Sequence, residues 1–225
     1  MIIETGHPRL AKILEQRCFF LFLALLALLI AVPFFAETVH GRLLIGIVNV
    51  IVLVTAVASI ASSRISLVIA VLLGLPTLGF QIMALQSGLP GRFALYWGFA
   101  GAFYAFTLVH LLQYVLRRDK MTADKLYGAV AAYILIAILW AFLYGVLEYF
   151  YPGAFAFNGT PKALNVAELI YFSFTALTTA GFGDITPVLI QSRFLTILET
   201  VTGVMYVAIL IARLTGVYPV VEKKP

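Results

Sequence analysis

The chain has 225 residues, 63% of them hydrophobic and 11% charged, with a formal net charge of +5. So little polar surface could not cover a soluble domain, and the composition points to an integral membrane protein. The basic residues form no stripe or recognition motif, which speaks against nucleic acid as a partner, and the lone Cys18 excludes an intrachain disulfide.

In chain order, residues 7–17 read as a short interfacial helix with Leu10, Ile13 and Leu14 toward lipid. A hydrocarbon core about 30 Å thick then requires about 20 apolar residues per spanning helix. Five runs with little or no charge meet that requirement: 18–35, 43–63, 65–91, 93–116 and 126–147. A sixth, 194–212, carries one acid, Glu199. In lipid the backbone must satisfy its own hydrogen bonds, so each run predicts a helix. Pro76 removes one such bond from the third run and predicts a kink. Phe34-Phe35-Ala36 is a poor cleavage site, so the first helix is expected to be retained rather than removed as a signal peptide.

Lys and Arg set the orientation. With both termini inside, Arg9, Lys12, Arg17, Arg64, Arg117, Arg118, Lys120, Lys125, Arg213, Lys223 and Lys224 face the cytoplasm. Arg42, Arg92, Lys162 and Arg193 face outward, so the 15 basic residues divide eleven to four. The expectation is a multi-pass protein of the cell membrane with cytoplasmic N and C termini. Four regions follow: a four-helix part (1–116), a cytoplasmic linker (117–125), a segment of helix, re-entrant turn and helix (126–216), and a short cytoplasmic tail (217–225) with no room for a ligand-binding domain.

Between the last two spans, residues 149–162 contain Pro152, Gly153, Gly159 and Pro161 and read as an irregular outer loop. Glu148, before it, reads as solvated beside an interfacial belt of Tyr149 and Tyr151. Asn165 and Glu168 have capping-box spacing at the start of an apolar stretch. About 13 residues at 1.5 Å each give about 20 Å, too short to cross, so 166–178 reads as a re-entrant helix. Its C-terminal end, with a partial negative charge, would point at the same axis as the turn that follows. In Thr179-Ala180-Gly181-Phe182-Gly183-Asp184, alternating glycines permit a backbone whose carbonyls face one axis. Irregular backbone at membrane depth is tolerated only where it is buried in protein or lines a cavity.

The stretch from Ile170 to Pro187, with Thr178-Thr179-Ala180-Gly181-Phe182-Gly183-Asp184 at its centre, resembles the pore helix and selectivity filter of the potassium channel family. It is most similar to the small prokaryotic pores of two helices flanking one re-entrant loop, here with four additional N-terminal helices. The resemblance covers residues 125–215. It implies an all-α membrane protein of six transmembrane helices, with a pore helix and filter between helices 5 and 6, assembled as a homotetramer in membrane lipid. Thr179, Ala180, Gly181, Phe182 and Gly183 would hold potassium through hydroxyl and carbonyl oxygens, with Asp184 at the outer mouth. Val204, Val207, Ala208, Ile211 and Thr215 would line the inner cavity, and Gly203 would be the hinge. Thr175, Thr178 and Glu199 would support the filter, Glu199 by bracing the pore helix from behind or, as the second reading, by contacting ions.

The family's filter reads Thr-Val-Gly-Tyr-Gly-Asp, so Ala180 and Phe182 are departures that loosen it. Potassium conduction is the expected function; a non-selective monovalent cation channel and a non-conducting regulatory subunit are the alternatives. Each charge moved through 100 mV is worth about 2.3 kcal/mol, so a voltage sensor needs several arginines on one helix. The fourth run has none, only His110, read either as a packed side chain or as a pH sensor. No catalytic constellation, metal cluster or nucleotide loop appears, so neither enzyme activity, nor a cofactor beyond the permeant ion, nor a small-molecule substrate is expected. Asn158-Gly159-Thr160 is formally a glycosylation sequon.

Overall fold

A computed structural model describes residues 16–35, 39–60, 64–87, 90–117 and 122–217. Among them are seven helices: α1 (Arg17–Phe35), α2 (Val39–Ile60), α3 (Arg64–Ser87), α4 (Pro90–Val115), α5 (Ala123–Phe150), α6 (Val166–Leu177) and α7 (Ile190–Val217). Three short strands, β1 (Phe155–Phe157), β2 (Thr160–Pro161) and β3 (Ile185–Pro187), complete the order. Helices α1, α3, α4, α5 and α7 are long and apolar enough to cross a membrane. The described apolar part of α2, Leu44–Ser59, is shorter. The chain is thus an all-α, multi-pass membrane protein, its spans close to the apolar runs of the sequence. The interfacial helix expected over 7–17 lies, but for its last two residues, outside the described residues, as does nearly all of the tail.

Helix α5 is the wall between the two halves. One side takes α4 and α1; the other takes α6 and α7. Its buried residues include Ala129, Ala131, Ala132, Ala137 and Ala141, whose small side chains let neighbouring backbones come close, as is usual where lipid supplies no hydrophobic drive. The Trp97 indole of α4 fills the space beside Gly145. A continuous core therefore runs from Leu21 and Leu25 of α1 through Phe103 of α4 and Leu135 of α5 to Leu169 and Leu177 of α6.

Polar ties close the end of this wall where α5 begins. Asp124, in the first turn of α5, accepts the backbone N–H of Cys18 (2.9 Å) and the hydroxyl of Tyr114 (2.9 Å), joining α1, α4 and α5. Just past α4, the Arg117 carbonyl accepts Lys125 Nζ (3.3 Å) and the Arg213 guanidinium, which ties α7 to the end of α4. Helix α3 runs unbroken through Pro76, with the next hydroxyl, Thr77, donating to the Leu73 carbonyl at 2.8 Å. His110 is packed: Nδ1 faces the Phe106 carbonyl (3.0 Å), an acceptor only, so that nitrogen carries the proton and Nε2 faces Ser66 Oγ (3.3 Å).

Helices α2, α3 and α4 are joined by a largely buried polar relay of their own. Tyr104 of α4 donates to Asn49 Oδ1 of α2 (2.7 Å), and Asn49 Nδ2 donates to Gln81 Oε1 of α3 (2.8 Å). Removing the middle member strands both outer ones, at about 1–3 kcal/mol for each unsatisfied group. Asn49→Leu is therefore expected to lower the thermal unfolding midpoint in detergent clearly more than Tyr104→Phe, which leaves the Asn49–Gln81 bond in place. Equal midpoints would show that the relay does not hold these helices together.

Candidate functional site: the re-entrant segment

Helix α6 begins with the capping box read from the sequence. Asn165 Oδ1 accepts the Glu168 N–H (2.9 Å), and Glu168 Oε2 accepts the Asn165 N–H (2.8 Å). Lys162 Nζ adds an ion pair to Glu168 at 2.6 Å. The helix ends at Leu177, buried between α5 and α7, and the chain turns at once into the glycine segment.

That segment has an unusual backbone. Thr179 (φ 61°), Gly181 (φ 53°) and Gly183 (φ 82°) are left-handed, while Ala180 and Phe182 between them are not. Alternating hand along a chain turns successive peptide units the same way, so N–H groups gather on one side and carbonyls on the other. A left-handed threonine is disfavoured and persists only where its surroundings hold it. Here the Thr179 N–H bonds the Ala176 carbonyl (3.1 Å), and the Gly181 N–H bonds the Thr175 carbonyl (3.2 Å), fastening the turn to the end of α6. Thr175 itself is buried, its hydroxyl on the Phe172 carbonyl (2.8 Å); Thr178 caps the helix with its hydroxyl on the Phe174 carbonyl (2.7 Å). Residues 179–183 are all exposed on the single chain.

The far end of the segment is held by a sheet where the sequence predicts an irregular loop. Strands β1 and β2 form a hairpin across Asn158 (φ 48°) and Gly159 (φ 78°), the paired positive angles of a type I′ turn. The Asn-Gly pair was the available signal. Strand β3, just past Asp184, pairs antiparallel with β1, giving the order β2-β1-β3. The Asn158 N–H also bonds the Asp184 carbonyl (2.8 Å). Glu148 is a second correction. It is half-buried rather than solvated, and its Oε1 accepts the Gly153 N–H (2.9 Å), fixing the start of the hairpin connection.

Phe182 lies flat against Tyr171 of α6, ring centroids 6.3 Å apart and planes within 6°. The Tyr171 hydroxyl in turn meets Asp184. Tyr171 was not singled out from the sequence, where it is one aromatic among many.

Helix α7 has two faces. Ser192, Glu199 and Gly203 are buried against the same chain, with Tyr206 continuing the face by donating to the Ala129 carbonyl (2.6 Å). Val204, Val207, Ala208, Ile211 and Thr215 lie on the other face, all exposed on the single chain. At Gly203 the helix is continuous and touches the end of α6 so closely that a Cβ would overlap the Leu177 carbonyl. Glu199 is fully buried and hydrogen-bonded to Tyr144 of α5 and Ser173 of α6. Both partners went unnoticed in the sequence.

Residues 130–218 match the family described as Ion channel. The chain is similar to the voltage-gated potassium channel Kch of Escherichia coli (strain K12), with 35% identity over 107 residues, or 47% of this chain and 24% of that one. It thus spans about a quarter of the length of the curated relative it matches. No solved structure matches it.

The Gly203 contact is with backbone, which cannot rotate away. Gly203→Ala must push α7 off the end of α6, and overpacking of this kind costs about 1–3 kcal/mol. The expected result is a lower unfolding midpoint in detergent, whereas Gly79→Ala, where a Cβ meets open space, should not show it. A Gly203→Ala protein as stable as its parent would contradict the close packing.

Proposed function

We propose that this membrane chain, whose residues 130–218 match the ion channel family, is one subunit of a tetrameric potassium channel. The observation that carries the reading is the alternation of backbone hand from Thr179 to Gly183. One such turn presents a single column of carbonyls. Four copies about a four-fold axis make rings of oxygens able to replace the hydration shell of a monovalent cation.

The permeant ion would pass the oxygens of Thr179, Ala180, Gly181, Phe182 and Gly183, with Asp184 concentrating cations at the outer mouth. Helix α6 would aim its negative end at the inner side of that column. Val204, Val207, Ala208, Ile211 and Thr215 would line the inner vestibule, which is supported by their exposure on the isolated chain. Gly203 would be the bend point as well as a close-packing site. Residues 126–216 would form the conducting part, 117–125 the linker to it and 1–116 a surrounding four-helix part, with both termini cytoplasmic. The relative's printed name includes voltage gating. Here α4 carries no Lys or Arg between Ala94 and Val115, which supports gating by another stimulus.

A second reading, a channel that passes sodium and potassium alike, is favoured by Ala180 and Phe182. Alanine packs less behind the filter than valine, and Phe182 brings no hydroxyl to fix its ring, which is 73% exposed on the single chain.

Purified protein in liposomes tests both. Potassium flux that persists while sodium flux is at least about tenfold smaller, a difference of about 1.4 kcal/mol, supports the first reading. Equal fluxes support the second. A Cβ meets no atom at Gly181 or Gly183, yet both need positive φ. Gly181→Ala and Gly183→Ala are therefore expected to abolish flux while membrane insertion and cross-linked tetramers persist. Full flux from either variant would overturn the filter assignment. Tetramers of the parent that pass no cation would identify a non-conducting subunit.

A further inference from the structure

Glu199 sits where the pore helix, the inner helix and α5 meet, and the hydrogen atoms around it can be counted. Ser173 Oγ is 2.6 Å from the Ala137 carbonyl and also hydrogen-bonded to Glu199 Oε1. A serine hydroxyl has one hydrogen, and a peptide carbonyl only accepts. If that hydrogen lies on the Ala137 carbonyl, none is left for Glu199 Oε1. On the other side the Tyr144 hydroxyl donates to Glu199 Oε2. The carboxyl therefore accepts through one oxygen, and its contact with Ser173 lacks a hydrogen unless Glu199 supplies it.

The surroundings supply no compensating charge. From α5 the titratable groups facing Glu199 are phenols: Tyr144, and farther off Tyr133, whose hydroxyl is 3.4 Å from the Leu177 carbonyl. From α6 the facing group is Ser173, and on α7 itself Thr196 and Thr200 donate to the Ser192 and Thr196 carbonyls, one turn back in each case (2.8 and 2.9 Å). Among the described residues no Lys, Arg or His pairs with this carboxyl. A buried carboxylate without a cation is costly; a neutral carboxyl that donates one bond and accepts another satisfies the site.

We propose that Glu199 is a protonated positioning residue, a neutral carboxyl that donates to Ser173 and accepts from Tyr144, holding α6 at the height the filter requires. Raising the pH removes that hydrogen, leaves two oxygens facing each other at the Ser173 contact, and loosens the pore helix. The flux arm of the test rests on the channel reading above; the spectroscopic arm does not.

Full-length protein in liposomes is measured in two ways. Infrared difference spectra of parent against Glu199→Gln should show a neutral-carboxyl carbonyl band that the substitution removes. Glutamine keeps one donor and one acceptor, so Glu199→Gln should assemble and conduct, while Glu199→Ala and Ser173→Ala lose about tenfold or more of the flux as buried partners are stranded. Parent flux should fall as pH rises and that of Glu199→Gln should not. A parent spectrum without the band overturns the proposal. So does a glutamine variant that fails to assemble, that is as inactive as the alanine, or that keeps the parent's pH response. The band in a protein that passes no ion would sink the channel reading and leave the proton where it is placed here.

Discussion

A backbone that alternates hand cannot hold itself together at membrane depth, because its N–H and carbonyl groups point to opposite sides and make no ladder. Everything around residues 179–183 answers that constraint. The segment is tied on its α6 side by the Gly181 N–H to the carbonyl of Thr175, and on its other side by β3 and the Asn158–Asp184 bond. A left-handed threonine is affordable only between two such fixed points. The strain belongs to the site, and the restraint comes from elements on either side of it in sequence.

Helix α6 is too short to be stable alone, and its position is decided by what holds its flanks. On one flank Ser173 bonds the Ala137 carbonyl of α5; on the other, Thr200 of α7 reaches the Ala176 carbonyl (3.3 Å). Glu199 joins all three helices at one point. Because α5 also carries α1 and α4 on its far side, the N-terminal helices and α6 pack against one common helix. The bond between Arg213 and the Arg117 carbonyl makes a second connection, near the C-terminal end of α7. The N-terminal helices and the re-entrant segment are thus joined at two places, through α5 and at the Arg117 carbonyl.

Length and apolarity made the spans legible, because the thickness of hydrocarbon is a fixed ruler that each run meets or fails. The capping box was legible for a similar reason: Asn165 and Glu168 are three residues apart, and local chemistry decides their pairing. What stayed hidden was long-range. Ser173 and Tyr144 bond Glu199 across separations of 26 and 55 residues, and nothing in a serine or tyrosine type announces such a partner. The sheet is an intermediate case. Asn158-Gly159 signalled a hairpin, but the prolines and glycines around it read more readily as loop, and β3 joins only from beyond residues 179–183. Glu148 was misjudged because its capping partner is a backbone N–H, which no side-chain pattern reveals.

The two faces of α7 bear on assembly. A face that ends in Glu199, Gly203 and a bonded Tyr206 is complete within one chain, since its polar groups and its close contact are already satisfied. The opposite face offers Val204, Val207 and Ile211 together with Ala208 and Thr215, and it is exposed on the isolated chain, as are residues 179–183. Lipid could cover the valines and isoleucine, but it offers no hydrogen-bond donors to the carbonyls of an irregular turn. Water and cations can meet those oxygens, and only an enclosed cavity brings them to that depth. A single helix face cannot enclose anything, so a turn of this polarity is not completed by lipid alone.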